Sequence, residues 1–300
     1  MLPKNQAFIF IKPHARNKEY VDLYIEQVFQ QYQIQTIESG IIQGSQIRKD
    51  GLIEKHYAVN AHAGTTMNPS ELFIPAEAEV SFLETFKISW EDALRKSMII
   101  SGECMQSKLN VTSDELYDLW GENGFAKIAA GLYVSYFSKQ ECFVLNGFYT
   151  SNRDMFTKDD ASIKWSIIEF DSEFLTWKKF RSEIIGKTDA TKADPSSIRG
   201  FLNLNKEKAN LSVTYKENII HASASPFEAL IEKSIWLENS FDPMTDPLYK
   251  LLAKDQIDME QIKELYNMNP VLDSHGETDT LTDLLEDKDT LEVANFIKSL

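Results

Sequence analysis

The sequence contains few cysteines, no long apolar run and no charged leader, and each shortage excludes a class of protein. The two cysteines, Cys104 and Cys142, are too few for a disulfide scaffold and are typical of a reducing compartment. No apolar run approaches the length that spans a bilayer, and residues 1–6 lack the charged and apolar regions of a secretory signal. We therefore expect a cytoplasmic protein without a membrane span.

Basic residues are also scarce, since 31 lysines and arginines face 46 aspartates and glutamates and give a formal charge of −15. This balance disfavours general nucleic-acid binding, which needs a basic surface for the phosphate backbone. It does not exclude a small phosphate ligand, for which a few local cations suffice. With 43% hydrophobic residues, the 300-residue chain can bury the core of one large or two small domains.

The most informative stretch places a histidine between an apolar run and the start of a helix. Residues 213–220 are largely apolar and predict a strand that ends at His221. Ser225, Pro226 and Glu228 then provide an N-cap, a first helical residue and a capping box. We expect backbone N–H groups at this helix start to be available to a phosphate. The alternative for a single histidine in this place is a satisfied core residue.

The segment Asn218-x-x-His221-x-Ser223, with Glu232 and Trp236 further on, resembles the active-site segment of nucleoside diphosphate kinases. In that family a histidine takes the phosphoryl group from a nucleoside triphosphate and passes it to a nucleoside diphosphate. The resemblance implies that His221 is phosphorylated and that Glu232 orients its ring. It also implies that Ser223 supports Glu232 or the phosphohistidine, and that Asn218 hydrogen-bonds the ribose.

Five further side chains match the family's phosphate ligands in their order along the chain. The resemblance implies that the phosphates of the nucleotide, which carries Mg²⁺, are bound by Lys12, Tyr57, Arg181, Thr188 and Arg199. Arg181 is displaced by one residue relative to the family's usual spacing, and Arg199 lies beside Gly200 in an expected loop. Taken singly, each has a structural alternative: Lys12 as a solvated lysine at a strand end, Tyr57 as a core aromatic and Arg181 as a surface arginine.

Apolar runs and helical periodicity predict the main elements of the core. We expect strands over residues 7–11, 34–43 and 162–170. Apolar residues at helical spacing predict helices over 21–32 and 173–185. The alternation of these elements is that of an α+β domain.

The resemblance covers residues 6–57 and 160–240 and implies a fold. That fold is a ferredoxin-like βαββαβ core with an antiparallel sheet. We expect the kinase-like domain over residues 1–240, with an insertion at about 58–160 of helical and β-hairpin character. An acidic, mostly helical extension then occupies residues 241–300.

The insertion carries its own local signals. A Thr112-x-x-Glu115 capping box predicts a helix over 113–120, and runs at 132–137 and 142–148 predict a β-hairpin. We expect this hairpin to add an edge to the sheet, the functional alternative being a lid or a contact between subunits.

The C-terminal tail carries most of the negative charge. From residue 238 to 300 it contains 15 acidic and 5 basic residues, which gives −10 of the −15. Amphipathic pieces within it predict helices, which either fold over the core or form a surface for a second copy or another protein.

The sequence supports two hypotheses of function. The first is a phosphotransferase that acts through His221, and the second is a kinase-like domain kept as a binding or structural module with weak or no turnover. Five departures from the family bear on the choice. His14 and Ala224 replace acidic residues, and residues 61–65 lack the aromatic that stacks on the base. The long insertion falls near that base-binding region, and the stretch from Arg199 to His221 is longer than usual. The five histidines and two cysteines show no metal-ligand spacing, so we predict no structural metal site.

Overall fold

A computed structural model describes residues 2–129, 131–238, 240–267, 271–272 and 278–300. The chain forms two compact units, the first made of residues 1–44 with 160–300 and the second of residues 45–159. Within the described residues, no helix combines the length and the hydropathy needed to cross a membrane.

The first unit contains a four-stranded sheet of β1 (Asn5–Ile11), β2 (Gln35–Gln43), β3 (Ser162–Phe170) and β4 (Ile220–Ala222). The strand order is β2-β3-β1-β4, and every neighbouring pair is antiparallel. A helix joins β1 to β2 and helical segments join β3 to β4, so the chain follows a βαββαβ path. The predicted α+β, ferredoxin-like core is confirmed.

Helix α1 (Glu19–Gln31) covers one face of this sheet. Its spacing of apolar residues puts Val21, Ile25, Val28 and Phe29 on one buried stripe, as the 3.6-residue period requires. All seven residues of β1 are buried, because the strand lies inside the sheet with helices packed on it. The central strand therefore provides a rigid support for β4, which carries the histidine.

The helix predicted over 173–185 begins later and changes its geometry. A short helix, α2 (Trp177–Lys179), continues as a π-helix (Phe180–Ile185). Gly186 N–H donates to the carbonyl of Arg181 at 2.9 Å, an i to i+5 bond. A π turn holds one residue more than an α turn. The π turn therefore places one residue more between Arg181 and Gly186 than an α turn would.

The strand predicted over 213–220 is wrong for most of its length. From this segment only Ile220 pairs with β1, as the first residue of β4, and a turn centred on Ile219 precedes it. Ile219 has a φ of 75°, which no regular strand contains. Val213 packs against the core without joining the sheet. Its apolar character therefore reflects burial and not a strand, which is why the prediction failed.

The remaining helices of the first unit cover the core. They are α3 (Ile198–Leu204), α4 (Pro226–Trp236), α5 (Pro247–Ala253), α6 (Met259–Asn267), α7 (Leu281–Leu285) and α8 (Thr290–Ser299). Two short strands, Val271–Leu272 and Thr278–Asp279, pair with each other. The outer face of α4 packs through Phe227, Leu230 and Ile231 against the last four helices. The tail is thus helical and folded onto the core.

The second unit has its own sheet and cores. Its four strands, in sheet order, are Ile99–Ser101, Cys142–Leu145, Leu132–Phe137 and Ala126–Ala129. Its helices are Gly44–Asp50, Leu52–His56, Ala58–Thr65, Ala76–Phe86, Trp90–Arg95, Gly102–Leu109, Ser113–Glu122 and Tyr149–Thr157.

Two predictions for this region are confirmed and one is wrong. The Thr112 capping box starts the helix Ser113–Glu122, and the hairpin pairs Phe137 with Cys142. We expected the hairpin to add an edge to the sheet of the first unit. Instead, two further strands of the second unit pair with it and complete a separate sheet. A separate core, rather than an extended one, accounts for the apolar runs.

Candidate active site

His221 lies in β4, directly opposite Phe10 of β1. The two rings stack with centroids 4.5 Å apart and planes inclined by 18°, and Trp236 of α4 lies 5.2 Å from the same Phe10 ring. The His221 side chain is 15% exposed, so the imidazole is held firmly yet remains reachable from outside. This combination suits a reactive group better than a core residue.

A carboxylate and a hydroxyl hold the imidazole. Glu232, two turns along α4, places Oε1 2.6 Å from Nε2 of His221. Ser223 Oγ lies 2.5 Å from the other oxygen of Glu232 and 2.9 Å from the carbonyl of Phe8. Because Ser223 is itself fixed to β1, the carboxylate has one position in which it meets the ring. The three predicted residues of the histidine segment are therefore brought together.

Three cations surround this histidine. Burial, and then the charges of Lys12, Arg199 and Arg181, lower the pKa of His221 well below its usual value. The imidazole is therefore neutral at pH 7, the form in which a ring nitrogen is nucleophilic. The predicted phosphate-binding cations of the first unit all act on one side chain.

Lys12 and Arg199 are both held by backbone carbonyls. Lys12 Nζ donates to the carbonyl of Lys216 at 3.0 Å, and burial together with the charge of Arg199 lowers its pKa to about 7. Arg199 donates to the carbonyls of Gly186 at 2.8 Å and Ile220 at 2.7 Å. Arg199 thus ties the end of the π-helix to β4, in addition to providing charge.

The loop expected around Arg199 is wrong, because this residue lies in the first turn of α3. Ser197 caps that helix by accepting from the N–H of Gly200 at 3.2 Å. A Cβ on Gly200 would lie 1.9 Å from the carbonyl oxygen of Asp194, so only glycine permits this approach. The glycine beside the arginine packs the helix start against the preceding loop.

Asn218 and Thr188 meet beside the histidine strand. Asn218 is 4% exposed, and its Nδ2 donates to the backbone carbonyl of Thr188 at 3.0 Å, whereas the Thr188 side chain is exposed. In the described part of the chain, Oδ1 of Asn218 has no hydrogen-bond partner although it is buried. A buried acceptor of this kind needs a donor, which a ligand hydroxyl can supply.

The turn before His221 is strained and depends on His14. Ile220 N–H donates to the carbonyl of Asn218 at 2.9 Å around Ile219, whose φ of 75° is rare for a β-branched residue. Ile219 is held on both sides: its N–H donates to Nε2 of His14 at 3.2 Å, and its carbonyl accepts from Lys12 N–H at 2.9 Å. The sequence marked His14 only as a departure and gave no sign of this contact.

We expect His14 to make stability fall as the pH drops from about 6.5 to about 3. Burial and the charge of Lys12 lower the pKa of His14 to about 3 from 6.5. Between these values the unfolded chain binds more protons than the folded one, so acid favours unfolding, by up to about 1.4 kcal/mol per pH unit. Urea unfolding of wild type and His14→Gln, which keeps an acceptor but does not titrate, measures this contribution. Parallel pH dependences in the two proteins would contradict the assignment.

At the start of α4, side chains engage two of the backbone N–H groups that the sequence predicted to be available to a phosphate. Ser225 accepts from the N–H of Glu228 at 3.1 Å, as expected of the N-cap. The Glu228 carboxylate, however, accepts from the N–H of Ala224 rather than closing the capping box on Ser225. Burial and the charge of Glu232 raise the pKa of Glu228 to about 8. A side chain therefore takes the place that a phosphate was expected to fill.

Arg181 and Tyr57 complete the predicted set. Arg181 projects from the π-helix and donates its Nη1 to Glu286 and, at 2.9 Å, to Asp287. Tyr57 belongs to the second unit, where it joins two helices and its ring meets His56 edge-on at 4.2 Å. A role for Tyr57 in phosphate binding stays a prediction.

Comparison with known proteins gives one partial relative in sequence. No family model matches the chain. A nucleoside diphosphate kinase of Kosmotoga olearia is 40% identical over 73 residues, which are 24% of this chain and 41% of that protein. The chain thus matches less than half the length of this curated relative.

Solved structures with similarity to the chain are also nucleoside diphosphate kinases. The apo enzyme of Encephalitozoon cuniculi is 15% identical, with 80% of this chain and 92% of that chain covered and a TM-score of 0.38. The Pyrobaculum aerophilum enzyme is 15% identical, with coverages of 78% and 96% and a TM-score of 0.37. The Borrelia burgdorferi enzyme with bound vanadate and ADP is 13% identical, with coverages of 79% and 88% and a TM-score of 0.37. Since these scores are low, the fold assignment rests on the strand order of the chain itself.

Proposed function

We propose that this chain, whose first unit is a divergent nucleoside diphosphate kinase-like domain, moves the terminal phosphate of a nucleoside triphosphate to a nucleoside diphosphate. The observation that supports this function best is the neutral, carboxylate-bound imidazole of His221 among three cations. These surroundings are typical of a nucleophile that accepts an anionic group, because the carboxylate orients the ring and the cations stabilise the incoming charge.

In the proposed reaction His221 acts first as nucleophile. When Glu232 is ionised it accepts the Nε2–H of the ring, so the lone pair of the neutral imidazole is on Nδ1. Nδ1 attacks the terminal phosphorus; the N–P bond forms as the bond to the bridging oxygen breaks, and the nucleoside diphosphate leaves. A terminal phosphate oxygen of a second nucleoside diphosphate then attacks the phosphohistidine and restores the ring.

The surrounding side chains have separate roles in this proposal. Lys12, Arg181 and Arg199 balance the charge that spreads over the transferring group, since that group carries several anionic oxygens. Mg²⁺ enters with the nucleotide as part of the substrate. The unsatisfied Oδ1 of Asn218 accepts a hydrogen bond from the ribose, and Thr188 contributes to the phosphate site.

One observation favours the second hypothesis, a binding module with little turnover. Arg199 donates to two backbone carbonyls and Arg181 to two carboxylates, so both arginines are engaged before a ligand arrives. In either case we place the protein in the cytoplasm, where its free cysteines stay reduced. A second copy or another protein remains our proposed partner for the second unit or the acidic tail.

Labelling with γ-labelled ATP and Mg²⁺, without an acceptor, tests the proposal. We expect an acid-labile, alkali-stable label on wild type and none on His221→Ala. His62→Ala, which removes an exposed histidine of the second unit, is the matched control and should be labelled like wild type. If wild type takes up no label at millimolar nucleotide, or His221→Ala keeps it, the phosphotransferase assignment fails.

A further inference from the structure

The guanidinium of Arg181 is engaged by two carboxylates of the C-terminal extension. Nη1 donates to Glu286 and, at 2.9 Å, to Asp287 of the segment that follows α7. Within the described part of the chain, Nε and Nη2 of Arg181 make no hydrogen bond. Burial alone would lower the pKa of Arg181, yet the two carboxylates raise it. The extension, which the resemblance does not cover, therefore contacts a residue assigned to phosphate binding.

The backbone fixes these carboxylates in place. Asp287 N–H donates to the carbonyl of Ala224, three residues after His221, at 3.1 Å. Two residues further, Oδ1 of Asp289 accepts from the N–H of Trp177 and from Asn5 Nδ2, both at 2.6 Å. The acidic segment is thus attached both to the loop after the histidine and to the start of α2. These contacts hold the two carboxylates beside Arg181.

Phosphate and carboxylate are both acceptors for the N–H groups of a guanidinium. Both accept charge-assisted hydrogen bonds from its N–H groups, so a phosphate at Arg181 must share it with Glu286 and Asp287 or displace them. The two acids also change the local charge. Lys12, Arg181 and Arg199 together carry at most +3, because the pKa of Lys12 is about 7, and subtracting two carboxylates leaves at most +1. An anionic ligand is therefore attracted less strongly than the arginine count suggests.

We propose that Glu286 and Asp287 compete with the phosphates of the nucleotide for Arg181 and thereby weaken nucleotide binding at this site. The inference rests on the proposed function, because it takes the site to bind a nucleotide. In this proposal the acidic extension sets the affinity of the site for the nucleotide.

The test measures the dissociation constant of Mg·ADP by calorimetry on the full-length chain. We expect the double variant Glu286→Gln/Asp287→Asn to bind at least about fivefold more tightly than wild type, the lower end of ordinary couplings between sites. Glu260→Gln/Glu264→Gln, which removes two exposed acids from α6, is the matched control for charge and should bind like wild type. Circular dichroism checks that all variants are folded.

The same pair of substitutions in an Arg181→Met background decides the mechanism. Competition predicts that the gain in affinity disappears there, because no guanidinium remains to be released. An equal gain without Arg181 would mean a general charge effect and overturn the proposal. Weaker binding would mean that the acids hold Arg181 ready for phosphate, and no change would mean that they do not matter; both results overturn it.

Labelling of His221 in the same preparations separates this inference from the proposed function. If wild type is labelled and binds Mg·ADP but the double variant binds no better, only the role of Glu286 and Asp287 is refuted. If neither wild type nor the double variant is labelled or binds Mg·ADP, the nucleotide site itself is refuted.

Discussion

Replacing Glu232 by glutamine is expected to slow phosphorylation of His221 by about 10²-fold or more and to change nucleotide affinity little. Glu232 contacts the ring of His221, so its loss acts on the orientation and proton position of the proposed nucleophile. Removal of a carboxylate behind a metal-bound histidine lowers activity about 10- to 100-fold. In a Ser-His-Asp triad the corresponding loss is about 10⁴-fold. Single-turnover labelling, with the dissociation constant of Mg·ADP measured in parallel, gives both numbers.

The pH dependence of labelling provides an independent reading of the same residue. Burial raises the pKa of the Glu232 carboxyl to about 8. When protonated, this carboxyl donates to Nε2 and leaves the ring proton on Nδ1, which blocks attack; when ionised, it accepts from Nε2. Labelling of wild type should therefore rise as the pH increases through about 8. The glutamine variant cannot ionise and should lack this rise.

Glu228→Gln is the control for this substitution. Glu228 lies one turn earlier in α4, and its carboxylate accepts from the N–H of Ala224. The chemical change and the helix are the same, but the side chain does not hold the ring of His221. We expect the labelling rate to stay close to that of wild type. Equal losses in both variants would indicate that α4 itself, and not the His221–Glu232 contact, is responsible.

Much of the site could be predicted because its parts lie within one continuous segment. His221, Ser223 and Glu232 are 11 residues apart at most, and a strand followed by a capped helix brings them together by local geometry. The predicted core strands at 7–11 and 162–170 were likewise set by runs of buried residues. Where the local pattern and the tertiary structure agree, the sequence is sufficient to predict the element and the residues that it brings together.

The contacts that the sequence did not reveal join residues that are far apart in the chain. Arg181 was identified, but Glu286 lies 105 residues away and no local pattern announces the pair. His14 and Ile219 are 205 residues apart, and their hydrogen bond supports a backbone conformation that propensity disfavours. Such sites break local rules and are held by tertiary contacts instead.

Asp246→Asn is expected to give the largest loss of stability among the variants considered, about 3–5 kcal/mol, which is typical when one partner of a buried ion pair is removed. Lys233 is 0% exposed and Asp246 is 1% exposed, and Nζ of Lys233 donates to Asp246 and to Gln6 of β1. Asp246 also caps α5 by accepting from the N–H of Leu248 at 2.7 Å. Asparagine can keep that cap but leaves the ammonium without a counter-charge. Urea unfolding of the two proteins at pH 7 measures the difference.

The pH dependence and a double variant show whether the unpaired charge is the cause. Burial lowers the pKa of Lys233 and Asp246 raises it, so without Asp246 the folded chain releases this proton more readily. The unfolded chain then binds more protons below pH 10.5, and the loss of stability should be greater at pH 6 than at pH 9. Adding Lys233→Met removes the charge and should restore much of the stability, because an apolar pair replaces the ionic one.

If the double variant is no more stable than Asp246→Asn, the loss does not come from the unpaired charge of Lys233. The expected recovery of stability bears on how α4 is held in place. The ion pair joins β1, α4 and the first helix of the extension at one point, where Lys233 also lies 5.4 Å from the ring of Phe241. The helix that carries Glu232 toward His221 is therefore fixed from its far side by the acidic extension. Removing that extension would leave Lys233 without its carboxylate and expose the outer apolar face of α4, so the tail is part of the folded core that positions the site.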